Sequence, residues 1–233
     1  YTIGDPLSPT SKGTSWRLDD EKLVYPFYEK VLKAGGGTAT ICIHKGLLPA
    51  DYEKSWPGVW ETAAVGDLPK AAKDWPKINF VIYHTALRAF LEAPDPELAE
   101  FEKTGYIRWS TDVAKCVSEQ GLKNVYAEIG TSFANSAVAN PRFAAAFVGQ
   151  LVNMMGADNV LWGTDSVWYG SPQWQIEAMR RLEIPDDMMK KQGWKTQLGA
   201  PDSKVKNKIF GMNSARLYKY DVRAEYEPMT RDH

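Results

Sequence analysis

Four segments of the chain are almost continuously hydrophobic and rich in β-branched residues, and helix-like segments lie between them. The four segments are Thr38–His44, Ile78–His84, Asn124–Gly130 and Asn159–Asp165. Continuous hydrophobicity, in place of strict alternation, is typical of strands that are buried on both faces. The pattern therefore predicts a parallel sheet that is covered by helices.

The segments between these strands carry helix signals. Apolar residues at helical spacing, N-terminal caps or prolines and closing glycines predict helices over Glu21–Ala34, Pro96–Lys103, Ser110–Gln120, Pro141–Met155, Gln173–Leu182 and Lys204–Tyr218. The stretch Leu47–Pro69 is predicted to be a long loop or lid followed by a short helix. No linker interrupts the series, so residues 1–233 are interpreted as one domain.

An ionisable side chain lies at or near the end of each predicted strand. These side chains are His44, His84, Glu128 and Asp165, and they recur roughly every 40 positions, as strand–helix repeats do. In a closed barrel the C-terminal strand ends face one shared site, whereas an open sheet brings together only the strands at its switch point. We therefore predict an α/β fold of the (β/α)8 TIM-barrel type.

Composition and charge narrow the possible partners. The chain has 233 residues, slightly fewer than the roughly 250 of a complete barrel. Its net charge of −1 gives no attraction to phosphate backbones, so nucleic acid is a poor candidate partner. No apolar run approaches the roughly 18–20 residues of a membrane span. With 2 Cys and 3 His, the chain alone can form neither a disulfide framework nor a histidine-rich metal site.

Each of the four strand-end residues also has an ordinary structural interpretation. A single histidine at a strand end is more often a structural residue than a ligand, Glu128 could accept backbone hydrogen bonds, and Asp165 could cap the next helix. Burying several such groups is costly unless they are paired or bind a metal ion. Their recurrence at strand ends therefore favours a metal site or acid–base chemistry over four separate structural roles.

Four short segments carry patterns shared with one protein superfamily. They are Ile41–Gly46, Val81–His84, Val160–Asp165 and Asn213–Tyr218. With them the sequence resembles the amidohydrolase superfamily, in the branch of metal-dependent hydrolases that includes aminocarboxymuconate semialdehyde decarboxylase. The resemblance extends from about residue 38 to residue 220. It implies that the four strands are the fifth to eighth of the barrel, with about the last five βα units present in the chain.

The resemblance also implies roles for the strand-end residues. His44 is expected to be a metal ligand, and Asp165 to be a metal ligand or proton shuttle. His84 is expected to orient or deprotonate the water on the metal, or to bind a second metal ion. Neutral imidazole and carboxylate groups suit a divalent ion, most simply zinc. Such an ion polarises a carbonyl and lowers the pKa of water to about 7.

The chain departs from the family at the first strand, where the family has a His-x-His pair that this sequence lacks. His44 and Asp165 alone fall short of the three protein ligands of a catalytic zinc site. Residues 1–3 are interpreted as the end of the fourth barrel strand, and the front of the barrel is expected to precede Tyr1. The intact protein is then expected to exceed 26.1 kDa in mass.

Further candidate substrate contacts are Trp56, Trp60, Arg88, Glu128 and Trp168. Lys45 and Tyr52 belong to the same loop as Trp56 and Trp60 and are added to the candidates for the pocket lining. For the tryptophans, packing within the loop or at an oligomer contact is equally favoured. Arg88 is expected to bind a substrate carboxylate or, more often for such a residue, to form a surface ion pair.

Three functions remain open. The first is a metal-dependent hydrolase of an amide, ester or lactone, and the second is a non-oxidative decarboxylase of an unsaturated or aromatic acid with the same metal core. The third is a metal-free barrel that acts as a binding module. A small-molecule substrate and a homodimer are expected from the resemblance. The cysteines do not fix the compartment, although the cytoplasm is favoured.

Overall fold

A computed structural model describes residues 16–49, 51–55, 57–58, 60–89 and 94–222. The predicted strand end at residues 1–3 and the candidate Trp56 lie outside the described residues. No helix in the described ranges is long and apolar enough to cross a membrane.

Four parallel strands form one sheet in the order β1-β2-β3-β4. Their bounds are Ala39–His44 (β1), Ile78–Tyr83 (β2), Val125–Glu128 (β3) and Val160–Leu161 (β4). Each strand leads through helices to the next, and consecutive strands are neighbours. This is the topology of half of a (β/α)8 barrel, which confirms the predicted fold class.

Twelve α-helices precede, connect or follow the strands in the described part of the chain. They are Tyr25–Ala34 (α1), Tyr52–Ser55 (α2), Leu68–Asp74 (α3), Asp95–Thr104 (α4), Ser110–Ser118 (α5), Gly130–Ala139 (α6), Pro141–Met155 (α7), Ser166–Tyr169 (α8), Gln173–Arg181 (α9), Asp186–Gln192 (α10), Lys204–Asn207 (α11) and Asn213–Tyr218 (α12). The prediction for α7 was correct at both ends, because the Asn140 side chain accepts from the Phe143 N–H and Pro141 opens the first turn.

The structure differs from the predicted helices at several places. Helix α1 begins at Tyr25 and not at Glu21, because the Asp20 carboxylate binds the N–H groups of Lys22 and Leu23 in a preceding turn. The C-terminal helix is divided by a π-helical turn over residues 208–212. Helix α6 was missed because its start, Gly130-Thr131-Ser132, has weak helix propensity and its stability comes from packing.

Strand β4 is shorter than predicted. It leaves the sheet after Leu161, where the N–H of Trp162 donates to the carbonyl of Ile209 in place of a neighbouring strand. The chain then reaches Asp165, which has a left-handed backbone with φ of 46°. The segment between β4 and Asp165 is therefore a loop at the C-terminal edge of the sheet.

The core lies between one face of the sheet and the helices. Phe80, Ile82 and Val125 point to this side and pack in one cluster with Phe143 and Phe147 of α7. Alternate residues such as Tyr83 and Glu128 are only partly buried. The expectation that the strands are buried on both faces was therefore only half correct. In the described part of the chain, the second face of the sheet lines an open cleft.

Candidate active site at the strand ends

The four ionisable strand-end residues meet at the C-terminal edge of the sheet. The imidazole rings of His44 and His84 lie edge to face, with centroids 4.8 Å apart. Nδ1 of His84 is 3.4 Å from Oδ2 of Asp165 and 3.8 Å from Oε2 of Glu128. The parallel topology brings these groups together because the carboxyl ends of all four strands share one edge.

His84 stands on an unusual backbone. His84, Thr85 and Ala86 have positive φ angles of 59°, 48° and 53°. Three consecutive left-handed residues other than glycine are costly, at about 1–3 kcal/mol each, and persist only when their surroundings hold them. The surroundings supply three hydrogen bonds. The His84 N–H donates to Oε2 of Glu128 (3.0 Å), the Ser132 hydroxyl donates to the His84 carbonyl (2.7 Å), and the Thr85 hydroxyl donates to the Glu128 carbonyl (2.9 Å).

Burial keeps both histidines neutral. It lowers the pKa of His84 to about 4, with a further decrease from the neighbouring His44 that the Asp165 charge partly opposes. Burial likewise lowers the pKa of His44. Nδ1 of His84 is buried and has no hydrogen-bond partner among the described residues. An orphaned buried polar atom of this kind calls for an explanation beyond packing.

Glu128 is the most deeply buried carboxylate of the cluster. Burial raises its pKa to about 7, although the N–H groups of His84 and Gly130 favour the charged form and limit the rise. The Gly130 N–H donates to Oε1 at 2.7 Å, so each carboxylate oxygen accepts one backbone donor. The carboxyl therefore titrates near neutral pH.

Two glycines make room for this carboxylate. A Cβ on Gly163 would lie 1.7 Å from Oε1 of Glu128, and a Cβ on Gly130 would lie 2.7 Å from the same atom. Real Cβ atoms essentially never approach another atom within 3.0 Å. The glycine of the Gly163-Thr164-Asp165 segment is thus required by a side chain from the neighbouring strand.

Asp165 faces the cleft with about a third of its side chain exposed. It stands at the N-cap position of α8, but its carboxylate makes no capping bond. Its Oδ2 instead accepts the hydroxyl of Thr131 on α6. Sequence reasoning missed Thr131 and Ser132, although two hydroxyl residues directly after a strand-end carboxylate offered a signal.

A cleft of about 280 Å³ opens beside the cluster. Tyr83, Glu128 and Asp165 contribute to its lining, together with Trp162 and Tyr218. The two carboxylates thus border a space that a small molecule can enter, and the two imidazoles lie behind Asp165, outside the residues that line the cleft.

A family model described as amidohydrolase matches residues 8–220. The chain belongs to the amidohydrolase family. No curated protein sequence matches this amidohydrolase.

The chain is similar to several solved structures at low sequence identity. An uncharacterised TIM-barrel protein from Bordetella bronchiseptica is 17% identical, with a TM-score of 0.51 over 91% of this chain and 55% of its own. A 2,6-dihydroxybenzoate decarboxylase from Rhizobium is 16% identical, with a TM-score of 0.48 over 89% and 58%. An amidohydrolase from Burkholderia multivorans with bound zinc is 15% identical, with a TM-score of 0.45 over 92% and 71%. The chain thus spans little more than half the length of the first two proteins.

The side chains at the strand ends include donor types that a divalent metal ion binds. His44 offers a neutral imidazole and Asp165 a partly exposed carboxylate, and the orphaned Nδ1 of His84 points toward the same carboxylate. Within the described ranges, however, no three His, Cys, Asp or Glu side chains are placed to hold one ion. The described residues therefore supply a partial ligand set.

The candidate tryptophans have different surroundings. Trp60 stacks on Trp109, with ring centroids 6.3 Å apart and planes 7° from parallel. Trp109 directly precedes α5, so this contact packs the loop against the rest of the domain, the alternative weighed against a substrate contact. Trp168, three residues after Asp165, is 80% exposed on α8. It stays a candidate substrate contact.

Arg88 is buried and its guanidinium is engaged inside the protein. Its Nε donates to Oε1 of Glu53 (2.7 Å), and its other nitrogens donate to Oε2 of Glu53 and to the carbonyls of Leu48 and Pro49. These bonds occupy the guanidinium, so it is not available for the expected contact with a substrate carboxylate. The favoured alternative, an ion pair, is present but buried and not on the surface. Arg88 fastens the loop after β1.

Lys45 and Tyr52 are buried in the same loop region and are not among the residues that line the cleft beside the cluster. Nζ of Lys45 donates to both oxygens of Asp67 (2.7 and 2.8 Å) and to the carbonyl of Thr62 (2.7 Å). Burial lowers the pKa of Lys45, while the Asp67 charge raises it. Lys45 is therefore a structural residue that anchors the chain after β1.

Proposed function

We propose that this amidohydrolase is a metal-dependent hydrolase of a carbonyl compound, with His44 and Asp165 as ligands of a divalent ion and His84 as the proton carrier. One observation carries the proposal. The buried Nδ1 of His84 has no partner among the described residues, yet it lies 3.4 Å from the Asp165 carboxylate and beside the His44 ring.

A divalent ion, with zinc preferred, supplies positive charge that polarises a carbonyl and lowers the pKa of water. The protein prepares for this charge by keeping His44 neutral, since a metal ligand must be deprotonated. The Thr131 hydroxyl orients the Asp165 carboxylate, in the manner of the outer hydrogen bonds that fix metal-binding groups.

Burial holds His84 neutral at physiological pH, so the imidazole is in the form that can accept a proton, but the same burial makes it a weaker base. A proton taken up at Nδ1 would lie next to Oδ2 of Asp165, and this negative charge stabilises the imidazolium. The same proton can then be given to the leaving group. General acid–base catalysis of this type contributes about 10²–10⁴-fold to a rate.

The substrate is proposed to be a small molecule that enters the cleft beside Glu128 and Asp165. The same residues would also serve a non-oxidative decarboxylase, in which His84 protonates the carbon that loses CO₂. The chain spans 55% of the Bordetella barrel.

A substrate panel tests the proposal. The purified protein is supplied with zinc and offered esters, lactones and amides, and aromatic carboxylic acids are monitored in parallel for CO₂ release. We expect hydrolysis, with kcat at least about 10²-fold lower in His84→Ala and with bound metal unchanged. His233→Ala is the matched control for removing a histidine.

Two outcomes would overturn the hydrolase. Release of CO₂ without hydrolysis would identify a decarboxylase with the same proton carrier. Absence of both bound metal and turnover would favour a binding module.

A further inference from the structure

Both oxygens of Glu128 are occupied by the protein backbone. Oε2 accepts the N–H of His84 at 3.0 Å, and Oε1 accepts the N–H of Gly130 at 2.7 Å. The His84 ring is farther away, with Nδ1 3.8 Å from Oε2, which is beyond hydrogen-bond distance. Glu128 therefore acts on the backbone of His84 and not on its imidazole.

Neither of these N–H groups has a partner in regular secondary structure. His84 follows the last residue of β2, and Gly130 is the first residue of α6. The first four N–H groups of a helix have no partner within the helix. The carboxylate thus joins a strand end to a helix start.

One short segment, residues 128–132, makes three hydrogen bonds to the turn that begins at His84, two to His84 itself and one to Thr85. The Glu128 side chain binds the His84 N–H, the Glu128 carbonyl accepts the Thr85 hydroxyl, and the Ser132 hydroxyl binds the His84 carbonyl. All three bonds fall on the left-handed turn of residues 84–86, whose conformation needs such support.

The position of the carboxylate is also fixed sterically. Gly163 and Gly130 pack so closely against Oε1 that neither could carry a Cβ without displacing it. A side chain confined in this way, with both oxygens engaged, has little freedom to reorient toward a substrate.

We propose that Glu128 is a positioning residue that fixes the backbone of His84, and through it the direction of the His84 imidazole toward Asp165. This replaces the expectation that Glu128 binds substrate, and it rests on the proposed function of His84 as the proton carrier. Glu128 need not touch the reacting atoms in this role.

The Glu128→Gln variant separates this role from space filling. Glutamine has nearly the same shape, but it has one acceptor oxygen where glutamate has two, and its amide NH₂ would face one of the two backbone donors. A residue that only fills space would tolerate the change. Glu29→Gln, on the exposed surface of α1, is the matched control.

Amide hydrogen exchange measured by NMR is the primary readout. In the native protein we expect the amides of His84 and Gly130 to be protected. In Glu128→Gln the exchange of at least one of them should rise by about tenfold or more, since a donor NH₂ replaces one of the two acceptor oxygens and its hydrogen bond is lost. Glu29→Gln should leave both rates unchanged.

The imidazole spectrum is the second readout. With only 3 His in the chain, the side-chain signals can be assigned by single substitutions. We expect the His84 signals to shift or broaden in Glu128→Gln and to stay in place in Glu29→Gln. A general loss of stability would not produce this selectivity.

Two results would overturn the proposal. One is rapid exchange of both amides in the native protein, a measurement that decides the matter even when the variant fails to fold. The other is a folded Glu128→Gln protein with both amides still protected and the His84 signals unmoved. Neither experiment uses metal or substrate, so their failure is distinguishable from failure of the proposed function.

Discussion

Substituting Gly163 by alanine should destabilise the protein through the neighbouring strand. The new methyl group would lie 1.7 Å from Oε1 of Glu128, which is 1.3 Å short of the 3.0 Å that real Cβ atoms respect. The carboxylate is buried and bound to two N–H groups, so it cannot move without losing these bonds. The strain therefore falls on the contacts that hold His84.

The magnitude follows from the contacts that are lost. A hydrogen bond to a charged group contributes about 1.5–3 kcal/mol, and overpacking costs about 1–3 kcal/mol. Partial relaxation of the carboxylate makes the full sum an upper limit, so we expect the free energy of unfolding to fall by about 3–5 kcal/mol. This is a large share of the roughly 5–15 kcal/mol that holds a typical domain folded.

Urea denaturation followed by circular dichroism measures the effect. Gly211→Ala is the matched control because a Cβ there meets nothing within 4 Å. Gly211 lies in a helical segment with an ordinary φ, so alanine should leave stability unchanged or raise it by up to about 1 kcal/mol.

A double-mutant cycle identifies the cause. In Gly163→Ala/Glu128→Ala the methyl group enters space that the carboxylate has vacated. We therefore expect the double variant to be about as stable as Glu128→Ala alone, so the coupling energy should equal the Gly163→Ala loss of about 3–5 kcal/mol. Additive losses would refute the steric reasoning, as would a Gly163→Ala protein as stable as the native one.

Two further predictions concern the loop after β1. The hydrogen bonds from Arg88 hold the pKa of Glu53 at about 2, against about 4.3 in an unfolded chain. The ion pair therefore stabilises the fold fully above about pH 4.3, and this stabilisation is lost as the pH falls toward 2. Urea midpoints at pH 5 and pH 2.5 should therefore differ more for the native protein than for Glu53→Gln, and equal differences would contradict the assignment. Lys45→Met should lower the free energy of unfolding by about 3–5 kcal/mol, because it leaves the buried Asp67 carboxylate without a countercharge. The double variant Lys45→Met/Asp67→Leu removes that carboxylate as well, so it should recover part of the loss in the same urea assay. A double variant less stable than the single one would show that the charge is not the cause.

Sequence patterns alone could locate the strand ends but not the contacts between them. His44, His84, Glu128 and Asp165 follow hydrophobic segments, and parallel topology makes such residues neighbours whatever the intervening chain does. The recurrence of these residues at strand ends, together with the predicted parallel topology, was therefore enough to predict a shared cluster.

The details that the patterns could not provide depend on distant partners. Glu53 is 35 positions from Arg88, and no local sequence signal shows that the Glu53 carboxylate binds the Arg88 guanidinium. Position 163 requires glycine because the Glu128 carboxylate, from the adjacent strand, leaves no room for a Cβ there. Likewise, the left-handed turn after β2 is held by residues more than 40 positions away, so it could not be inferred from its own sequence.

Metal analysis of the full-length protein tests the central claim most directly. Bound divalent metal is measured by mass spectrometry after dialysis, in the native protein and in His44→Ala and Asp165→Asn. The account predicts about one equivalent in the native protein and a large loss in both variants, with His233→Ala unaffected. A native protein that retains no metal, or variants that bind it as the native protein does, would contradict a metal-dependent site at the strand ends.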